Sequence, residues 1–177
     1  MTANGIYIAR YSSPLGGITL ASDGEFLTGL WFDGQRHFPR LTGSERAGSP
    51  LPVIDETVGW LDVYFGGGIP DFTPQLRFDL TPFQKEVCEE MLKIPYGATS
   101  TYGVIATVIA RRRNIERMSA QAVGCAVGRN PVSLIVPCHR VVGSDGSLTG
   151  YAGGIDKKAA LLELERKIIS AKDTERK

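Results

Sequence analysis

The sequence predicts an α/β (α+β) protein. A small β-rich N-terminal α/β domain spans residues 1–78, and a mostly helical C-terminal domain with a helix-turn-helix spans 79–177. Three observations carry this. Short apolar alternations fill residues 6–33, a capping box opens a helix at Thr81, and a helix of small residues follows a basic loop near Ser119. With 177 residues, 42% of them hydrophobic, the chain can bury one core or two small ones.

Ile6, Ile8, Ile18 and Leu20 belong to alternating stretches broken at Pro14-Leu15-Gly16-Gly17 and Asp23-Gly24. Leu27 to Phe32 reads as a further strand that Asp33-Gly34 ends, and 34–52 reads as a polar loop. Residues 53–65 place Val53, Val58, Leu61 and Phe65 on one side of a helix, which Gly66-Gly67-Gly68 stops. Thr81 can cap the next helix, with Pro82 at its first position and Gln84 completing the capping box. Phe83, Val87, Met91 and Leu92 form its apolar face, and Pro95-Tyr96-Gly97 ends it. Another helix runs from near Thr101 to Ala110, and Ser119 caps a third that ends before Asn130-Pro131. Residues 132–136 read as a buried strand leading into Cys138, and 143–154 as a glycine-rich loop. A final helix starts near Asp156, with Lys172 to Lys177 frayed at its end.

No apolar run is long enough for a transmembrane helix, and no signal-peptide pattern is expected at the N-terminus. Cys88, Cys125 and Cys138 fit neither a disulfide framework nor zinc spacing, which suits a reducing, cytoplasmic compartment. The net charge of +1 conceals an asymmetry: residues 1–76 carry −4 and residues 77–177 carry +5. Within 111–140, six arginines face the single Glu116. Such a segment either meets a polyanion or is a solvated basic loop. Ala120, Ala122, Gly124 and Ala126 give the third helix a close-approach surface, for another helix or for DNA.

The chemistry concentrates at Pro137-Cys138-His139-Arg140. A thiol becomes a nucleophile as its thiolate, and His139, one of two histidines, can supply the base. The competing reading is a buried structural cysteine beside an unrelated histidine. Neighbours on a strand point to opposite faces, so the pair cooperates only if the chain turns at Cys138 or a water bridges them.

Gly128-Arg129-Asn130-Pro131, the run Ile135 to Val142 around Pro137-Cys138-His139-Arg140, and Gly150-Tyr151-Ala152-Gly153-Gly154 together resemble the O6-alkylguanine-DNA alkyltransferases. The resemblance covers residues 79–168 and is loose before them. It implies irreversible, single-turnover transfer of an alkyl group from O6 of alkylguanine, or O4 of alkylthymine, to a cysteine of the protein. Cys138 matches the nucleophile, His139 a base acting through water, Glu165 the carboxylate that orients it, and Asn130 the brace of the active-site turn. Tyr102 matches the hydroxyl that donates to the guanine ring. Val141, Tyr151, Ala152 and Gly153 match the substrate pocket. Gln121 and Ala122 sit on the helix that enters the minor groove, and Arg112, Arg113 and Arg140 are expected to add DNA contacts.

The implied partner is double-stranded DNA carrying the lesion, met by a monomer, with the target base flipped out. No cofactor or metal is implied: the N-terminal domain has no cysteine and only His37. Two features depart from the family pattern. Gln121 stands where many members have an arginine, and the loop 111–118 is longer and more basic than in the shortest members. Two other readings remain: a non-enzymatic alkylguanine-binding sensor, in which the cysteine is replaced, and a helix-turn-helix transcription regulator. The latter needs groups that read base edges, which the small residues of 119–129 scarcely offer.

Overall fold

The computed structural model describes residues 5–48 and 50–175. The chain separates into two units, with the division between Asp79 and Leu80.

In the first unit, β1 (Tyr7–Ser13), β2 (Gly16–Ser22) and β3 (Leu27–Phe32) form an antiparallel meander. Ser13 pairs with Gly16 across the two-residue loop Pro14-Leu15, and Gly16 takes φ +110, which favours glycine. The region read as a loop over 34–52 also holds a short strand, β4 (Arg46–Ala47), parallel to β1, so the sheet order is β3-β2-β1-β4. Ile18, Leu20, Leu30 and Phe32 are buried in the sheet, and Ile54, Leu61 and Tyr64 are buried on α1 (Pro52–Phe65). Each such side chain contributes about 1.5–3 kcal/mol when fully buried.

The second unit holds α2 (Pro82–Leu92), β5 (Ser100–Thr101), α3 (Tyr102–Arg112), α4 (Ala120–Val127), β6 (Val141–Val142) and α5 (Ile155–Glu175). The capping box at Thr81 forms in full, and Thr101 and Ser119 accept hydrogen bonds at the starts of α3 and α4. Helices α2, α3 and α4 pack on one another, and β5 pairs in parallel with β6. Helix α5 continues to Glu175 rather than fraying from Lys172; residues 176–177 lie outside the described part.

Residues 132–136 are not a strand. Asn130 Nδ2 donates to the carbonyls of Val132 (3.2 Å) and Val136 (2.8 Å), and Val132 N–H donates to Asn130 Oδ1 (3.0 Å). The Val136 N–H bonds back to Val132 (3.1 Å), and Leu134 takes φ 69. One asparagine thus satisfies backbone groups that a ladder would otherwise use. Val132, Leu134 and Val136 are fully buried, so a closed turn carries the same apolar signature as a core strand.

Candidate active site

Cys138 opens a single 3-10 turn, Cys138–Arg140, packed against α5. Successive side chains on such a turn diverge by about 120°, so the alternation of a strand does not apply. The chain turns at the cysteine, as cooperation with His139 requires. All three side chains of the turn are buried. Burial pushes the Cys138 thiol up; hydrogen bonds from Asn130 and Ser133 and the charge of Lys158 oppose it. Asn130 therefore both shapes the turn and favours the thiolate.

Glu165, on α5, is the acceptor at the centre of the array. It receives His139 Nε2 (2.7 Å), Arg140 Nε (2.9 Å), Arg140 Nη2 (2.9 Å) and the Gly97 N–H (2.9 Å). Gly97 sits at φ +77, where a Cβ would lie 2.6 Å from Ile169, so the turn that stops α2 needs glycine. Arg140 also donates through Nη1 to the Ile94 carbonyl (2.8 Å). Burial alone would raise the Glu165 carboxyl, but His139 and Arg140 outweigh it and hold the group at about 2. An ionised carboxylate only accepts, so the 2.7 Å contact assigns the proton to Nε2 of His139. Nδ1 is left with the lone pair. Burial lowers the His139 pKa against the pull of Glu165, leaving a neutral imidazole at neutral pH.

Lys158 completes the site and had no role in the sequence reading. It is fully buried on α5, and its Nζ donates to the carbonyls of Val141 (2.5 Å) and Thr149 (2.7 Å). The Thr149 carbonyl also accepts the Tyr102 hydroxyl (2.8 Å). One lysine thus ties together β6, the glycine-rich loop and the first residue of α3. Burial draws Lys158 down to about 8, with the Cys138 charge pulling the other way, so it is protonated at neutral pH. Gly150 allows the close approach: it takes φ +70, and a Cβ there would sit 2.9 Å from the Tyr102 hydroxyl. Among the described residues, no three His, Cys, Asp or Glu side chains converge as metal ligands.

A sequence profile of the 6-O-methylguanine DNA methyltransferase DNA-binding domain matches residues 82–167. The methylated-DNA–protein-cysteine methyltransferase of Mycobacterium tuberculosis is 43% identical over 91% of this chain and 93% of its own. The chain belongs to this family. A member from Methanosarcina barkeri is 40% identical over 90% of this chain and 97% of its own. The crystal structure of the M. tuberculosis O6-methylguanine methyltransferase has a TM-score of 0.78 at 40% identity, covering 92% of this chain and 93% of its own. The structure of the M. tuberculosis protein in complex with DNA has a TM-score of 0.77 at 39% identity, covering 92% and 94%.

Within this family frame, the structure brings together Cys138, His139, Glu165, Asn130 and Tyr102 in one unit. Val141 is buried; its N–H bonds to the Cys138 carbonyl and its own carbonyl takes Lys158. Tyr151 is buried, with no hydrogen-bond partner for its hydroxyl among the described residues. Ala152 and Gly153 form the centre of a turn closed by Gly154 N–H to the Tyr151 carbonyl (3.1 Å). Gln121 is exposed at the second position of α4, with Ala122 half-buried beside it.

The DNA-contact expectation for Arg140 is corrected. Its guanidinium is buried and committed to Glu165 and Ile94, so it shapes the site from inside. Arg112 and Arg113 also have partners. Arg112 pairs with Glu90 and Glu89, and Arg113 pairs with Glu86 at 2.9 Å. Glu86, Glu89 and Glu90 share one face of α2 and neutralise Arg112 and Arg113 at the end of α3.

Lys158 and Ser133, which both favour the Cys138 thiolate, carry no role in the sequence reading. A signal existed for the lysine. It precedes Leu161, Leu162 and Glu165 by three, four and seven residues, which is the inward face of α5.

Proposed function

We propose that this protein repairs duplex DNA by irreversible, single-turnover transfer of an alkyl group from O6 of alkylguanine, or O4 of alkylthymine, to Sγ of Cys138. The observation that carries the reading is a buried thiol on the turn whose next two residues bind one ionised carboxylate, Glu165. His139 Nδ1 takes the thiol proton through a water. The Sγ lone pair then forms a bond to the alkyl carbon as the carbon–O6 bond breaks. The released electron pair is accommodated by the guanine ring, which takes a proton from Tyr102 as that hydroxyl turns from the Thr149 carbonyl. The proton held by His139 replenishes the tyrosine through solvent. Lys158 supports the thiolate, and Tyr151, Ala152 and Gly153 wall the flipped base.

The DNA-bound M. tuberculosis relative supports duplex DNA as the partner. The retained Cys138 disfavours the sensor reading, and the small residues of α4 disfavour a sequence-reading regulator. The free cysteines Cys88, Cys125 and Cys138 suit a protein working in the reducing cytoplasm. The test is the intact mass after incubation with O6-methylguanine duplex. A gain of one CH2 that maps to Cys138, with one lesion consumed per protein, is the expected result; repeated turnover on excess lesion would sink the reading.

Gln121 gives a second test. In the space of the extruded base its amide can bond to the orphaned cytosine without a charge. Gln121→Ala is expected to slow duplex repair about tenfold, the worth of one hydrogen bond of about 1.4 kcal/mol. Transfer from the free base O6-benzylguanine, which needs no flipping, should change far less. Gln121→Arg should preserve or improve duplex repair. Equal loss on both substrates would assign Gln121 to the integrity of the pocket instead.

A further inference from the structure

We propose that the concavity between the last turn of α3 and the loop leading to α4 is a seat for a phosphodiester of the DNA backbone, with Arg111 and Arg117 as its cations. The proposal rests on the DNA-repair reading above and assigns which part of the basic segment holds the strand.

Of the six arginines in 111–140, Arg112, Arg113 and Arg140 have carboxylate partners, and Arg129, exposed beyond α4, does not line the concavity. Arg111 and Arg117 are exposed and make no ion pair or side-chain hydrogen bond among the described residues. Helix geometry produces this split. Consecutive residues on α3 diverge by about 100°, so the face that turns Arg112 to the carboxylates of α2 turns Arg111 away from them. Arg111 instead lies over Thr107, one turn earlier.

Arg111 and Arg117 line one concavity of about 350 Å³, with Thr107, Ile115, Glu116 and Met118. Its backbone is already folded into shape. The Ile115 N–H bonds to the Ala110 carbonyl (3.0 Å), the Asn114 N–H bonds to the Arg111 carbonyl (3.1 Å), and Asn114 takes the left-handed conformation at φ 53. Little backbone entropy remains to be lost on binding. The loop enters α4 through the Ser119 cap, two residues after Arg117. The dipole of α4 adds positive potential at that end. Glu116 is the one carboxylate in the concavity, leaving it a net single positive charge. It would oppose a phosphate there, so it tunes the seat and supplies a test of opposite sign.

The assignment also bears on Gln121. An uncharged residue at that position leaves α4 without a cation of its own ahead of Gly128. Arg117, on the loop four residues before Gln121, restores positive charge beside the helix expected to enter the groove.

The experiment measures binding of unmodified duplex DNA as a function of salt for the full chain. Arg111→Gln with Arg117→Gln is compared with the charge-matched pair Arg112→Gln with Arg113→Gln. Each phosphate contact contributes about 0.9 to the slope of log K against log salt. The first pair is expected to flatten the slope by about 1 to 2 and to weaken binding at least about tenfold at low salt. The second pair should change the slope little, and Glu116→Gln should tighten binding. An unchanged slope for Arg111 and Arg117, or equal flattening by both pairs, overturns the seat; equal flattening reveals only a general field. Wild-type transfer from free O6-benzylguanine tests the repair reading separately. If the wild type takes no alkyl group and binds no DNA, that reading fails and takes the seat with it.

Discussion

Cys138→Ser is expected to abolish alkyl transfer while leaving duplex DNA binding within about twofold of wild type. A serine hydroxyl is far less acidic than a thiol, and His139 cannot generate a useful alkoxide from it near neutral pH. The fold tolerates the change: Asn130 and Ser133, which bond the sulfur, can bond a hydroxyl in the same place. Lesion binding should therefore survive, and the variant should hold alkylated duplex without consuming it. Mass spectrometry for transfer and anisotropy for binding separate the two effects. Cys88→Ser and Cys125→Ser serve as controls. Cys88 is buried on α2, where burial first, and the nearby Cys138 second, push its thiol to about 12. Cys125 is exposed on α4 and makes no hydrogen bond to His139 or Glu165 among the described residues. Retained transfer in Cys138→Ser, or its loss in both controls, would remove Cys138 from the nucleophile's role.

The helix starts were legible because capping is local. Thr81, Thr101 and Ser119 satisfy backbone donors within three residues of themselves, so the signal lies in the sequence window. The pairing of His139 with Glu165 was legible only through the resemblance, since the two lie 26 residues apart. The strand expected at 132–136 failed because Asn130 takes the ladder's hydrogen bonds, and apolar burial cannot distinguish a core strand from a buried turn. Arg140 and Lys158 were hard to place for a related reason. Charged residues normally face water, and their burial depends on partners far along the chain: Glu165 and Ile94 for Arg140, and Val141 and Thr149 for Lys158. Arg112 and Arg113 looked like phosphate ligands because the carboxylates that neutralise them lie on a different helix.

Lys158→Met is expected to slow transfer about ten- to a hundredfold near neutral pH, with a pH signature that a packing role cannot imitate. Methionine keeps the apolar stem and removes the charge. A unit charge a few ångströms from a thiolate is worth about 2–4 kcal/mol at an effective dielectric near 20, enough for at least that loss. The substitution also leaves the Val141 and Thr149 carbonyls without their shared donor, at about 1–3 kcal/mol of stability. That second effect is independent of thiolate formation, so pH separates them. Removing the positive charge raises the Cys138 pKa, because the charged form loses its support. The variant's rate therefore climbs at more alkaline pH than the wild type's. In the wild type, Lys158 begins to release its own proton as pH passes about 8, and its support for the thiolate fades there. The gap between the two profiles should accordingly be widest below that pH and close above it. Thiolate absorbance of Cys138, measured with Cys88→Ser and Cys125→Ser in both backgrounds, should shift in the same direction. A constant ratio of rates across the pH range, with an unmoved thiolate titration, would reduce Lys158 to a structural tie between β6 and the glycine-rich loop.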